Sequence, residues 1–205
     1  MLKNVSSGIV HALDLLLPPR KTERLVRELN IGMLTFLASV DGTLPYHEHR
    51  ITALIWELKY RKNTGALALA GEILAERALS IAEECLSKPV LVPVPMHKSR
   101  RKHRGYNQTE ELCAAIMKQS GNSFEYAPLA LTRIRNTVPQ QGLPKHRRLK
   151  NMLGAMEATK PELIAGKTCI VIDDVSTTGA TVHETKRALL VGGAKEVHIL
   201  TLAHS

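Results

Sequence analysis

An apolar segment that ends in two adjacent carboxylates constrains the fold of this chain more than any other feature. Residues 169–172 are all apolar, as in a buried strand, and Asp173 and Asp174 follow directly. A segment of small and hydroxyl residues comes next, and a helical pattern begins near Val182. The order of strand, loop and helix predicts an α/β fold, in which ligands bind at the carboxyl ends of the strands.

The residues after the acid pair have the chemistry of a ribose and phosphate site. Backbone N–H groups and hydroxyls can donate to phosphate oxygens, glycine permits close approach, and the following helix presents its positive end. The carboxylates can accept hydrogen bonds from a ribose diol or help to hold a hydrated Mg²⁺. An acid pair alone would indicate a solvated strand end, but the ordered combination predicts a binding site. The predicted ligand-binding residues are Asp173, Asp174, Val175, Ser176, Thr177, Thr178, Gly179, Ala180 and Thr181.

The length and composition indicate one sizeable globular domain with room for a small appendage. The chain has 205 residues, of which 44% are hydrophobic and 23% charged, and no apolar run reaches the ~18 residues of a membrane span. We find no signal peptide and therefore expect a cytoplasmic protein. The cysteines at 85, 113 and 169 form no close pair, which argues against a disulfide framework or a zinc site.

The chain is basic, with a net charge of +9. Two clusters concentrate the charge, one at Lys98–Arg104 and the other at residues 145–150. Clusters of this kind are usually solvated surface, but each one borders a predicted site element. The excess of positive charge therefore favours a polyanionic partner, either a nucleic acid or a polyphosphate ligand.

The spacing of the apolar residues indicates a boundary near residues 62–65. We predict an N-terminal helical section over residues 1–64 and an α/β core over residues 65–205. Within the core, strands alternate with helices, which predicts a mainly parallel sheet flanked by helices. Residues 134–150 have no apolar period and form a long loop, which is usually functional or disordered. Helices are predicted at 5–17, 22–30, 51–60, 66–86, 109–119 and 182–190, and strands at 90–95, 129–133, 167–172 and 197–202, whereas 31–40 is ambiguous.

The 169–181 segment resembles the phosphoribosyl pyrophosphate (PRPP) signature of the type I phosphoribosyltransferases. Other segments resemble the ComF (GntX) family of phosphoribosyltransferase-like competence proteins. They are Val-Pro-Val-Pro-Met-His at 92–97, Arg-Gly-Tyr-Asn-Gln at 104–108, Leu-Lys-Tyr-Arg at 58–61, the arginine-rich stretch 133–151, and Leu-Leu-Leu-Pro-Pro-Arg at 15–20. Members of this family typically carry a four-cysteine zinc ribbon after the Leu-Pro-Pro-Arg segment, which here ends at residue 20. Residues 20–50 contain no cysteine, so we expect no zinc site.

The resemblance implies a type I phosphoribosyltransferase fold and the displacement of pyrophosphate from PRPP by a nitrogen nucleophile, with Mg²⁺ as cofactor. The acid pair would hold the ribose and, with Arg147 and Arg148, would be catalytic. It would also be the Mg²⁺ site, through water where needed. The loop 134–150, which also contains Lys145, would be a lid over the site. The predicted pyrophosphate contacts are Pro95, Met96, His97, Lys98, Arg133 and Arg135.

The acceptor of the ribosyl group is not identified by the sequence. Thr177 stands where purine salvage enzymes of the hypoxanthine–guanine type have a carboxylate, so a general base is missing there. A base-binding hood would come from residues 1–64, where Phe36, Tyr46 and Trp56 are the stacking candidates, although such aromatics are more often core. One alternative is a non-catalytic PRPP- or nucleotide-binding accessory factor in DNA uptake, with single-stranded DNA or competence proteins as partners. Another is a metabolite-binding regulator without a DNA role. Oligomerisation is open.

Overall fold

The computed structural model describes residues 20–137 and 150–205. The helix predicted at 5–17, most of the predicted lid, and its residues Lys145, Arg147 and Arg148 lie outside the described residues. We number the described elements in chain order. The helices are α1 (Lys21–Arg27), α2 (Ile31–Leu37), α3 (His49–Tyr60), α4 (Thr64–Glu83), α5 (Lys98–Arg104), α6 (Gln108–Ser120) and α7 (Ala180–Val191), and the strands are β1 (Leu44–Pro45), β2 (Val90–Pro93), β3 (Glu125–Tyr126), β4 (Leu131–Arg133), β5 (Met156–Ala158), β6 (Thr168–Ser176) and β7 (Glu196–His204).

A five-stranded sheet forms the centre of the described structure, in the order β1-β7-β6-β2-β3. Every neighbouring pair in this sheet is parallel. The strands β4 and β5 form a separate antiparallel pair. The predicted α/β class with a mainly parallel sheet is therefore confirmed, and the carboxyl ends of all five strands meet at one edge.

The two faces of the sheet contact different hydrophobic layers, because successive residues of a strand point to opposite faces. On β6, Ile170 and Ile172 belong to the layer that contains helices α1 to α4 and α6. Cys169 and Val171 belong to the other layer, which contains α7 and the β4–β5 pair. All four side chains are fully buried. Burial on both faces explains why the centre of this strand is an uninterrupted apolar run.

The N-terminal helices pack on the first of these layers. Leu34 of α2 and Leu54 of α3 are fully buried in the same cluster as Ile170. The helix α3 begins at His49, where the side chain of Glu48 accepts hydrogen bonds from two backbone N–H groups of the first turn. Glu48 therefore has a structural role as the N-cap of α3. The division of the chain between residues 64 and 65 stays a prediction.

Several elements differ from their predicted bounds. The strand β6 continues four residues beyond Ile172, because Asp173 still pairs with Thr201 of β7. The ambiguous residues 31–37 are helical, with the Asn30 side chain as cap. The basic run Lys98–Arg104 forms the short helix α5. No helix within residues 20–137 and 150–205 combines the length and the apolarity that crossing a bilayer requires.

Candidate functional site

A pocket of about 600 Å³ opens at the carboxyl edge of the central sheet. Its walls come from parts of the chain that are distant in sequence: the end of β2, the helices α3 and α5, the start of α6, and β6 with the loop after it. The lining residues are Tyr46, Thr52, Ile55, Trp56, Lys59, Tyr60, Val94, Pro95, Met96, Arg100, Arg104, Asn107, Gln108, Thr109, Arg133, Asp173, Asp174, Val175, Thr177, Thr181 and Ser205. The pocket therefore lies where open α/β sheets bind their ligands.

The predicted acid pair lines this pocket and is deeply buried. Asp173 is 7% exposed and Asp174 is 5% exposed. Burial and the neighbouring carboxylate of Asp174 raise the pKa of Asp173 to about 7, although the Asp174 backbone N–H, Lys59 and Arg133 oppose the rise. Two adjacent buried carboxylates repel each other, so this part of the pocket favours the arrival of a cation or of hydroxyl donors.

Two residues that sequence reasoning did not assign hold the second carboxylate. The Lys59 ammonium lies 3.3 Å from Asp174 Oδ2, and the Gln108 side-chain amide donates a hydrogen bond of 2.7 Å to the same oxygen. Burial alone lowers the pKa of Lys59, but the carboxylates of Asp174 and Asp173 outweigh it and raise that pKa. Both residues belong to segments that carry the family resemblance, at 58–61 and 104–108, and that was the only signal for them.

The loop after β6 brings further polar groups to the pocket. Val175, Thr177 and Thr181 line it. Gly179 has a left-handed backbone with a φ of 73°, which favours glycine, and precedes α7 without a side-chain cap. The Thr178 hydroxyl is buried and has no hydrogen-bond partner within the described part of the chain. The loop therefore lies between the acid pair and an uncapped helix N-terminus, whereas the predicted ligand-binding residues Ser176, Thr178, Gly179 and Ala180 do not line the pocket.

The second predicted element, residues 95–98, reaches the pocket only in part. Pro95 and Met96 line the pocket. The side chain of His97 instead caps α5 by accepting from the Ser99 backbone N–H. Lys98 is exposed and does not line the pocket. The start of α6 fixes this loop, because Thr109 Oγ1 donates a hydrogen bond of 2.7 Å to the Val94 carbonyl.

Of the two arginines predicted to contact pyrophosphate, Arg133 lines the pocket and Arg135 does not. The Arg135 guanidinium donates to the backbone carbonyls of Asn151 and Leu153. Arg133 is 8% exposed, and its Nε has no hydrogen-bond partner within the described residues. Burial, followed by repulsion from Arg100, lowers the pKa of Arg133 to about 10. An orphaned buried donor beside a second cation is an environment that an anion would stabilise.

Two further arginines, Arg100 and Arg104, line the pocket and were not predicted as contacts. Both lie on α5. Burial and the nearby Arg104 lower the pKa of Arg100. Together with Arg133 they give the pocket three arginines, which are opposite in charge to the acid pair. The basic character of residues 98–104 was the sequence signal, but only the helix α5 determines which of its cations enter the pocket.

No group of three or more His, Cys, Asp or Glu side chains that could hold a metal ion occurs in residues 20–137 and 150–205. A metal ion at the acid pair would therefore need oxygens from a ligand or from water to complete its coordination.

Comparisons with known proteins identify the family of this chain. A family model described as the phosphoribosyl transferase domain matches residues 74–205. The DNA utilization protein YhgH of Salmonella typhimurium is 31% identical over 157 residues, which cover 76% of this chain and 67% of that protein. The competence protein ComFC of Bacillus subtilis is 34% identical over 117 residues, which cover 57% of this chain and 45% of that protein. The matches thus span about two thirds of YhgH and less than half of ComFC.

A solved structure of a Trypanosoma cruzi hypoxanthine phosphoribosyl transferase covers 68% of this chain and 65% of its own, with 12% identity and a TM-score of 0.45. The loss of a zinc ribbon stays a prediction. The extent of the domain match, the parallel sheet and the identity to YhgH confirm the fold class and the family resemblance. The chain belongs to the phosphoribosyl transferase domain family and, within it, to the ComF group of competence-related proteins.

Proposed function

We propose that the pocket binds PRPP together with Mg²⁺ and that the protein transfers the phosphoribosyl group to a nitrogen acceptor. The observation that carries the proposal is the buried acid pair, Asp173 and Asp174, at one wall of the pocket and directly before the loop that begins α7. A sugar diol donates hydrogen bonds that suit these carboxylates. The neighbouring loop provides the hydroxyls and backbone N–H groups that suit a phosphate.

The charges of the groups that line the pocket indicate an orientation for PRPP. The 5′-phosphate would lie against the loop 176–181, where Thr177 and Thr181 line the pocket. The pyrophosphate would lie toward Arg100, Arg104 and Arg133. The lowered pKa values of Arg100 and Arg133, caused by burial and by like charge, mean that a polyanion would relieve an unfavourable electrostatic environment.

The acid pair also fits a Mg²⁺ ion. The raised pKa of Asp173 reflects burial and the repulsion of Asp174, and a divalent cation would offset both. Two carboxylates leave most of an octahedral shell to water and to the oxygens of PRPP, which is how Mg²⁺ usually binds beside phosphates. When bound, Mg²⁺ would neutralise charge on the departing pyrophosphate.

The transfer requires little covalent chemistry from the protein, because the bonds that change belong to PRPP and the acceptor. The lone pair of the acceptor nitrogen forms a bond to ribose C1 as the bond from C1 to the pyrophosphate oxygen breaks. The acceptor proton then passes to solvent or to the released pyrophosphate. Arg100, Arg104 and Arg133 would stabilise the charge on the leaving group. Thr177 lines the pocket but is not a base near neutral pH, so no general base is assigned. A lid formed by residues 134–150, with Lys145, Arg147 and Arg148, stays a prediction.

A second candidate is a PRPP-binding accessory factor that acts on DNA without transferring ribose. The names of the relatives YhgH and ComFC, a DNA utilization protein and a competence protein, favour it. The net charge of +9 and the exposed cations of α5 suit a nucleic acid partner. Competence proteins and single-stranded DNA are accordingly proposed partners, and the expected cytoplasmic location belongs to the same proposal. Release of pyrophosphate that requires an acceptor would distinguish the enzyme from the accessory factor.

Calorimetric titration of PRPP, with and without Mg²⁺, tests the binding proposal. The double variant Asp173→Asn with Asp174→Asn should lose affinity by at least ~100-fold, because two hydrogen bonds to charged groups are weakened. Asp41→Asn is the matched control, since Asp41 lies outside the pocket. Circular dichroism should show both variants folded. Absence of PRPP binding by the wild type, or equal binding by the double variant, would refute the proposal.

A further inference from the structure

Gln108 lines the pocket, and the proposed function assigns it no role. The residue is 9% exposed. Its side-chain amide donates a hydrogen bond of 2.7 Å to Asp174 Oδ2, and its side-chain carbonyl accepts one of 2.8 Å from the Arg104 guanidinium. A single amide group therefore connects the carboxylate that would hold the ribose to a cation that would hold the pyrophosphate.

The two partners of Gln108 permit only one orientation of its amide. A guanidinium only donates hydrogen bonds, so the amide oxygen must face Arg104. An ionised carboxylate only accepts them, so the amide nitrogen must face Asp174. The Lys59 ammonium also contacts Asp174 at Oδ2, at 3.3 Å. Both contacts use the same oxygen of the carboxylate, so the other oxygen is left for a ligand.

The turn that carries Gln108 is anchored to two other walls of the pocket. The buried Tyr106 hydroxyl donates a hydrogen bond of 2.7 Å to the Leu58 carbonyl of α3. The buried Asn107 side chain donates one of 3.1 Å to the Val94 carbonyl, just after β2. Gln108 therefore begins α6 at a position that α3 and the end of β2 determine together, and its side chain reaches its partners from a fixed backbone.

We propose that Gln108 is a positioning residue, which holds Asp174 and Arg104 at a fixed separation across the bond that breaks in the transfer. The inference rests on the proposed function, in which Asp174 binds the ribose and Arg104 the pyrophosphate. The bond that breaks joins these two parts of PRPP, so the groups that hold them must keep a constant distance. Misplacement by ~1 Å in such an arrangement can slow a reaction ~100-fold. Both hydrogen bonds of Gln108 have a charged partner, which places them in the stronger class.

The variant Gln108→Met approximately keeps the length of the side chain and removes both hydrogen bonds. In calorimetry with Mg²⁺ it should weaken PRPP binding by roughly 10- to 150-fold, as expected for the loss of a hydrogen bond to a charged group. Gln119→Met is the matched control and should bind as the wild type does, because Gln119 lies on the same helix, is exposed and does not line the pocket. Circular dichroism should show both variants folded, and Gln108→Ala takes the place of a Gln108→Met protein that does not fold.

Double-mutant cycles separate a positioning role from a purely structural one. If Gln108 acts through Arg104, Gln108→Met should cost at least ~3-fold less PRPP affinity in an Arg104→Met background than in the wild type. Arg100→Met is the matched background, because Arg100 lines the same pocket from the same helix but donates to the Thr137 carbonyl. There the two losses should add to within about 2-fold. An Asp174→Asn background, which weakens the other hydrogen bond of Gln108, should also reduce the cost.

The outcomes separate this inference from the function on which it rests. PRPP binding that Gln108→Met leaves unchanged would overturn the positioning role and leave the PRPP site intact. Losses that add equally with Arg104→Met and with Arg100→Met would overturn it as well, since a purely structural residue behaves in that way. No binding of PRPP by the wild type would instead refute the proposed function, and this inference with it.

Discussion

Replacing Asp173 by asparagine should make the protein more stable at neutral and alkaline pH while it removes ligand binding. In the folded protein, burial and the adjacent Asp174 raise the pKa of Asp173 from the ordinary value of 3.8 to about 7. The fold therefore prefers the protonated form of this carboxyl. Its contribution to stability is complete below about pH 4 and is lost progressively as the pH rises through 7.

A rise in pKa from 3.8 to about 7 corresponds to a ceiling of about 4 kcal/mol of lost stability above pH 7. Asparagine keeps an oxygen that can accept from the Asp174 backbone N–H, a hydrogen bond of 2.9 Å in the wild type. That hydrogen bond is already among the influences that set the pKa of Asp173 at about 7, so it is not deducted again. The expected gain of Asp173→Asn at pH 8 is therefore at most about 4 kcal/mol, or about 8–16 °C in Tm for a chain of this length.

Urea unfolding at pH 5 and at pH 8, without Mg²⁺ or PRPP, measures this effect. At pH 5 the wild type retains most of the contribution, so the gain should fall below about 2 kcal/mol. Asp41→Asn is a control of opposite sign, since hydrogen bonds from Ser39 and Thr43 lower the pKa of Asp41 to about 2. That variant should therefore lose stability at pH 8 rather than gain it. A folded Asp173→Asn protein without a gain at pH 8, or with the same gain at both pH values, would refute the electrostatic argument.

Two further substitutions test contacts that hold the site and the fold. Lys59→Met leaves the buried Asp174 without its cation and should cost about 1–3 kcal/mol in urea unfolding at pH 8; Lys59→Arg should recover part of the loss, and equal stability of all three proteins would show that the ion pair contributes nothing. Gly71→Ala would bring a Cβ to 2.5 Å from the Ala115 Cβ, where α4 crosses α6, and should cost about 1–3 kcal/mol. Gly65→Ala on the same helix meets its nearest atom at 3.4 Å and should be tolerated, so similar stability of these two variants would contradict the close packing.

The sheet and the loop after β6 follow from local sequence. The apolar run before Asp173 predicts a strand buried on both faces, and it lies at the centre of the parallel sheet. The acid pair, Thr177, Gly179 and Thr181 are all contained in nine consecutive residues. A strand followed by a loop and a helix brings such residues together whatever the rest of the chain does. The boundary of β6 was misjudged, because pairing with β7 carries the strand past the carboxylates.

The rest of the site depends on contacts between distant segments, which no local pattern determines. Gln108 and Asp174 are 66 residues apart in sequence and share a hydrogen bond. Lys59 reaches the same carboxylate only because α3 packs on one face of the sheet with its Lys59 face toward the pocket. The direction of the short helix α5 likewise admits Arg100 and Arg104 to the pocket and leaves Lys98 at the surface.

The sequence by itself therefore determined the α/β fold and the position of the acid pair and its loop, because these depend on the apolar period and on the chemistry of one continuous segment. The tertiary structure alone decided which cations surround that segment and that Trp56 and Tyr60 form a wall beside it. A helix presents only one face to a pocket, and the packing of α3 and α5 on the rest of the core selects that face.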